Sequence, residues 1–159
     1  MEYRSGALCL VVRDNKILMV KHRRGINEYY TLPGGGIEQG ETPEQAAIRE
    51  LREECSVNGK LIQKTSEYNA PLGNGITIHT FHIDIGNEHP MLNDDLPEEE
   101  KQVLIEVRWM SIDEICERDR SFLWASGLSA IPYFFNELTS WNDDISYPSK
   151  RTLEPNDKM

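Results

Sequence analysis

Glu50, Glu53 and Glu54 fall within a few positions of one another, and Arg49 stands directly before the first. If the stretch is helical, spacings of three and four gather these carboxylates on one side. Crowded carboxylates repel, which destabilises an isolated helix. A hard divalent cation removes that cost, because Mg²⁺ takes oxygen ligands and few of them from protein. Glu38 and Glu41 add two more carboxylates upstream, beside Pro33-Gly34-Gly35-Gly36. Those glycines carry no side chain, so backbone and ligand can approach closely. Arg49 is a ready ion-pair partner that could orient one of the carboxylates. Any one of these glutamates, taken singly, also fits a solvated charge on a surface helix. All of them at fixed spacing around one loop–helix unit do not.

That helix has its own start signals. Thr42 suits the N-cap, Pro43 the first helical position, and Gln45 the reciprocal position of a capping box. The helix is expected to run to about Cys55. At about 100° per residue, Ala47, Ile48, Leu51 and Cys55 share one face, with Glu50, Glu53 and Glu54 expected opposite.

The same stretch resembles the signature of the Nudix hydrolases. Its pattern is Gly, five residues, Glu, seven residues, Arg-Glu-aliphatic, one residue, Glu-Glu, one residue, Gly-aliphatic. The matches are Gly35, Glu41, Arg49, Glu50, Leu51, Glu53, Glu54 and Val57, and Leu32-Pro33-Gly34 and Glu38 also look like the family. One position departs: Ser56 stands where the signature has glycine. Glycine there lets the chain leave the helix in a left-handed conformation. A serine so placed costs on the order of 1 kcal/mol, and Asn58-Gly59 is an alternative place for the turn.

The resemblance implies a hydrolase acting on phosphoric anhydride bonds, with Mg²⁺, or Mn²⁺ in its place, as cofactor. It implies an α+β fold with a mixed, twisted β-sheet sandwiched between helices. Glu50, Glu54, Glu53 and the Gly35 carbonyl would hold metal. Glu53 is the first choice for general base. A loop glutamate among Glu98, Glu99 and Glu100 is the second, with Glu100 ranked first of these. Arg49 would orient a carboxylate, with Glu41 or a metal-binding glutamate as its partner. Gly34, Gly35 and Glu38 would meet the substrate.

Around this unit the chain supplies positioning elements. Residues 5–13 resemble a buried strand, Asp14-Asn15 a turn, and Lys16–His22 a second strand, together a hairpin. Arg23 and Arg24 at its end are either solvated or phosphate contacts, since guanidinium forks match phosphate oxygens. Glu28–Leu32 leads into the glycine loop, and Tyr29 or Tyr30 could stack on a base. Further strands are expected at 60–68, 76–85 and 103–110, with a loop at 69–75. His79 and His82 point to opposite faces of a strand and cannot share one metal. The 86–102 segment is expected as a polar connection. Ser111 caps a short helix with Glu114 reciprocal. A terminal helix is expected over 129–138, with Phe122–Trp124 packed alongside.

The 159 residues suffice for one domain with a sizeable core, expected over 1–140 with a polar tail over 141–159. Hydrophobic residues make up 38% and form no long run, which excludes a membrane span. No signal peptide is evident, and Cys9, Cys55 and Cys116 lack ligand-like spacing, so a cytoplasmic protein with reduced, mostly buried thiols is expected. A formal net charge of −10 argues against a nucleic-acid polymer as partner. It favours a small nucleotide approached through metal ions; a homodimer is compatible with all of this. The leading function is a Mg²⁺-dependent pyrophosphohydrolase cleaving a nucleoside diphosphate linked to another moiety. The enzymatic rival is a pool-cleaning nucleoside triphosphate pyrophosphohydrolase of MutT-like type. The rival of another class is a non-catalytic nucleotide-binding regulatory module, which should have lost carboxylates that this chain retains.

Overall fold

The structure is a computed structural model that describes residues 4–70 and 75–140. The expected tail over 141–159, and positions 71–74 of the expected 69–75 loop, lie outside the described residues.

The apolar runs near the N-terminus are strands buried on both faces. In β1 (Gly6–Leu10), Ala7 and Cys9 join one core while Leu8 and Leu10 face the other. In β3 (Lys16–Arg24), Leu18 and Val20 join the first core, and Ile17 and Met19 the second. A period-2 backbone with apolar layers on both sides requires continuous rather than alternating hydrophobicity. The expected strand over 5–13 is interrupted at Val11, and β2 (Val12–Arg13) continues in a different sheet. Asp14 (φ 51°) and Asn15 (φ 62°) make the turn into β3 with both central residues left-handed, as a tight hairpin needs.

The strands divide into two sheets. The first has the order β5 (Gly34–Gly36), β1, β7 (Thr77–Asp84), β6 (Lys60–Asn69), with β1 and β7 parallel and the other pairs antiparallel. The second is antiparallel: β3 pairs with β2, with β4 (Asn27–Thr31) and with β8 (Leu104–Met110). The expected mixed sheet between helices is present, split in two because the chain changes sheet at Val11.

Helix α1 (Pro43–Cys55) lies on β1 and β5. Its start is as expected: Thr42 Oγ1 accepts from Gln45 N–H at 3.1 Å and Gln45 Oε1 accepts from Thr42 N–H at 3.0 Å. Its exit is through Ser56 itself, left-handed at φ 61°, so Asn58-Gly59 does not take over the turn. Ala47, Leu51 and Cys55 are fully buried and Ile48 partly so. Ala46 and Glu54 are buried as well, which corrects the expectation that Glu54 faces away from the core. Glu54 follows Ala47 by seven residues, and a heptad returns to within about 20° of its starting direction.

The 86–102 segment is docked rather than loose. Met91 and Asn93 donate to the carbonyls of Cys55 and Glu54 at 3.0 and 3.2 Å, satisfying the end of α1, and Leu96 is buried. The segment ends in a one-turn helix, α2 (Glu98–Lys101). A 3-10 turn at Ile112–Glu114 carries the expected Ser111 capping box. Phe122–Trp124 belong to an unanticipated helix, α3 (Glu117–Ala125). The expected 129–138 helix begins instead at Pro132, as α4 (Pro132–Ser140), after a 3-10 turn. Proline is tolerated at a first helical turn and breaks an interior.

The C-terminal layer docks on β6. Thr65 Oγ1 donates to Ser126 O at 2.8 Å and Ser66 Oγ to Ala125 O at 2.5 Å. Gly127 (φ 85°) lies so close to the Thr65 carbonyl that no Cβ fits. No helix of the described residues is long and apolar enough to cross a membrane.

Candidate active site

Arg49 is the hub of the carboxylate cluster. Its Nε and Nη2 clamp Glu41 at 2.7 and 2.9 Å, its Nη1 donates to Glu50 at 3.0 Å and Glu53 at 3.1 Å, and Nη2 also donates to Gly36 O at 3.0 Å. The Glu41 partnership is one of those the sequence offered. This hydrogen bonding holds the Glu41 carboxyl below the usual carboxylate range. Glu38 is outermost, 3.9 Å from Arg49 Nη1.

The glycine strand explains its own composition. A Cβ on Gly35 would lie 2.5 Å from Glu50 Oε1, and one on Gly34 would strike the Ala7 carbonyl. Only glycine lets the strand touch both the helix carboxylates and β1. Gly34 N–H donates to Glu54 Oε1 at 2.7 Å.

Burial pushes the Glu54 carboxyl up to about 8, with the charges of Glu50, Glu100 and Glu53 adding to the rise. Burial likewise raises Glu50, to which Glu53 and Glu100 contribute. Glu100, on α2, is therefore close enough in space to act on both. Glu53 differs: its side chain is 49% exposed, against 16% for Glu50, so of the three helix glutamates it is the one open to water.

Among the described residues, no three His, Cys, Asp or Glu side chains converge into a ready-made metal cage. Arg49 donates to Glu50 and Glu53, and Gly34 N–H donates to Glu54. The donor set nonetheless suits a hard divalent cation. Carboxylate oxygens are its ligands, four carboxylates share the single Arg49 guanidinium, and the missing Cβ of Gly35 lets the Glu50 carboxylate lie directly against the glycine strand.

The same strand borders a cavity of about 340 Å³ lined by Gly34, Gly35 and Gly36, by Leu8, Tyr30, Tyr68, Ile78, Phe122 and Leu123, and by Asp119 and Arg4. Asp119 is almost fully buried, accepts from Tyr30 N–H at 3.1 Å and pairs with Arg118 at 3.0 Å. His22 also borders it. Burial pushes its imidazole down to about 4, so it is neutral at physiological pH.

Sequence-nominated residues divide accordingly. Arg49, Glu50, Glu53, Glu54 and Gly35 come together, with Glu100 nearby. Tyr30, Gly34 and Gly35 border the cavity. Arg23 and Arg24 are not among the residues lining it. Arg23 pairs with Glu28 at 2.7 Å, and Arg24 donates to the Tyr29 hydroxyl at 3.0 Å. Sequence reasoning missed Arg4, Tyr68, Asp119 and Phe122. Acidic Glu117 and Asp119 in a first turn were an available signal for α3; Arg4 had none. Cys9 and Cys55 are buried free thiols raised by burial, whereas Cys116 is exposed, so only two of the three are core residues.

A family model described as NUDIX domain matches residues 2–129, and the chain belongs to the Nudix family. It is 33% identical over 96 residues to the ADP-ribose pyrophosphatase of Methanocaldococcus jannaschii, covering 57% of this chain and 56% of that one. It is 33% identical over 116 residues to the ADP-ribose pyrophosphatase of Bacillus subtilis, covering 71% and 58%. The chain thus spans little more than half the length of these curated relatives. A crystal structure of a Nudix hydrolase from Nitrosomonas europaea superposes with a TM-score of 0.59 at 23% identity, over 74% of this chain and 64% of that one, which shows the shared fold.

Proposed function

We propose that the chain is a Mg²⁺-dependent pyrophosphohydrolase that cleaves a nucleoside diphosphate linked to a further group. One observation carries this reading: a three-glycine strand touches the carboxylate cluster and also borders an apolar, aromatic cavity of nucleoside scale. Two relatives named as ADP-ribose pyrophosphatases support it.

Glu50, Glu53, Glu54 and the Gly35 carbonyl would hold Mg²⁺, with Mn²⁺ as substitute. When bound, the cation neutralises diphosphate charge and lowers the pKa of the attacking water. Glu53, oriented by Arg49 and open to solvent, takes a proton from that water as its oxygen attacks phosphorus. The bond from that phosphorus to the bridging oxygen breaks, and two monophosphate-type fragments leave. Gly34 N–H and Arg49 hold these carboxylates beside the glycine strand. The cavity takes the nucleoside end, with Tyr30 as a wall and Asp119 as a buried acceptor.

The test is a substrate panel with and without Mg²⁺: ADP-ribose, dinucleoside polyphosphates, nucleotide sugars, and ordinary and oxidised nucleoside triphosphates, with products resolved by chromatography. Metal-dependent cleavage of diphosphate-linked compounds to two monophosphates is expected. Release of pyrophosphate from triphosphates alone would replace this reading with the triphosphate one. No turnover, with nucleotides still raising the melting temperature, would replace it with a regulatory binding module.

A further inference from the structure

β5 lies at the edge of its sheet, with β1 as its partner there. Helix α1 engages it through Gly34 N–H to Glu54 and Gly36 C=O to Arg49. The Cα of Gly35 faces Glu50, while those of Gly34 and Gly36 face Leu8 and Arg4, which border the cavity. Carboxylates and cavity therefore meet the strand from opposite directions. A ligand with its nucleoside in the cavity reaches the glutamates by crossing this glycine edge.

Arg4 stands at the crossing. A Cβ on Gly36 would lie 2.8 Å from Arg4 Nη2 and 2.9 Å from both Cζ and Nε. Near-equal distances to three guanidinium atoms mean that the group lies flat over the glycine. Its N–H donors lie in its own plane, so stacking on Gly36 leaves them aimed along the rim. Arg4 is exposed, and among the described residues it forms no ion pair. With His22 neutral, it is the cationic group among the described residues lining the cavity. Arg23 and Arg24 are already engaged by Glu28 and Tyr29.

We infer that Arg4 binds the phosphate adjoining the nucleoside, holding it at the cavity rim while the next phosphate reaches the glutamates. This rests on the proposed hydrolase reading for the direction in which the substrate lies. A planar fork that matches phosphate oxygens, with no carboxylate ion-paired to it among the described residues, suits the task.

Calorimetric titration without metal tests this, because a monophosphate needs only the Arg4 contact. The ligands are AMP with adenosine and GMP with guanosine. The proteins are wild type, Arg4→Gln and Arg4→Lys, each first shown to melt as wild type does. In at least one pair, wild type should bind the monophosphate more tightly than the nucleoside. Arg4→Gln should weaken the monophosphate about tenfold and leave the nucleoside unchanged, with Arg4→Lys between. On any substrate the panel finds, Arg4→Gln should raise KM and leave kcat nearly unchanged. Equal monophosphate affinity in wild type and Arg4→Gln, or equal loss for nucleoside and monophosphate, overturns the inference. So does a wild type that binds none of the ligands. Turnover by wild type with no Arg4 effect would leave the hydrolase standing and remove Arg4; the Arg4 effect without turnover would do the reverse.

Discussion

Burial sets the protonation state of Glu54. Its carboxyl, pushed by burial from an ordinary value of 4.5 to about 8, binds a proton more tightly folded than unfolded. Its contribution to stability is therefore full below about 4.5 and is lost as pH rises through about 8. If Glu54 is a metal ligand as proposed, a divalent cation competes with that proton and should stabilise more as pH rises. The expected outcome is a Mg²⁺-induced rise in melting temperature that grows between about pH 6 and pH 9 and vanishes in Glu54→Gln; a pH-independent rise would remove Glu54 from the ligands. The Glu53 side chain, by contrast, is half exposed. Glu53→Gln should cost roughly 10²- to 10⁴-fold in kcat and shift stability by no more than about 0.5 kcal/mol. If it turns over normally while Glu100→Gln is inactive, the base is Glu100.

Helix α1 shows how far local signals reach at the scale of an element. Its cap, its proline and its apolar stripe were all legible, because each depends on neighbours within a few residues. Burial of Leu51 alone contributes about 1.5–3 kcal/mol. The glycine missing from the signature was legible as a departure, but its consequence was not: serine occupies the left-handed position. Ser56→Gly should therefore stabilise the protein by about 1 kcal/mol in urea unfolding, since glycine carries no Cβ penalty there. A destabilised variant would mean that the serine side chain makes a compensating contact. Helix α3 was only faintly legible, from its acidic first turn, because its sequence ERDRSFLWA lacks a clear 3.6-residue stripe and its fixed points lie on distant strands.

Across the whole molecule, two apolar layers clasp the sheets, and the second layer completes the cavity. Asp119, Phe122 and Leu123 reach it from α3, which is held to β6 through Thr65, Ser66 and Gly127. Gly127→Ala places a Cβ against the Thr65 carbonyl at a left-handed φ, and should cost about 2 kcal/mol or more. Chemical denaturation checks this, and nucleotide affinity should fall while Mg²⁺ binding is retained. Equal loss of both would show that the carboxylate cluster depends on this layer as well.

The sequence by itself determined the carboxylate helix, its capping, the need for glycine beside it, the Arg49–Glu41 partnership as one of its alternatives, and most strand positions. These rest on contacts between near neighbours or on the period of apolar residues, both of which are written along the chain. Tertiary structure alone decided that Glu54 is buried, that Glu100 approaches the cluster, and that Arg4 and Asp119 border one cavity while Arg23 and Arg24 do not. Each of those outcomes depends on which distant elements the sheets bring side by side. Strand pairing between residues far apart in sequence leaves no local spacing from which such neighbours can be read.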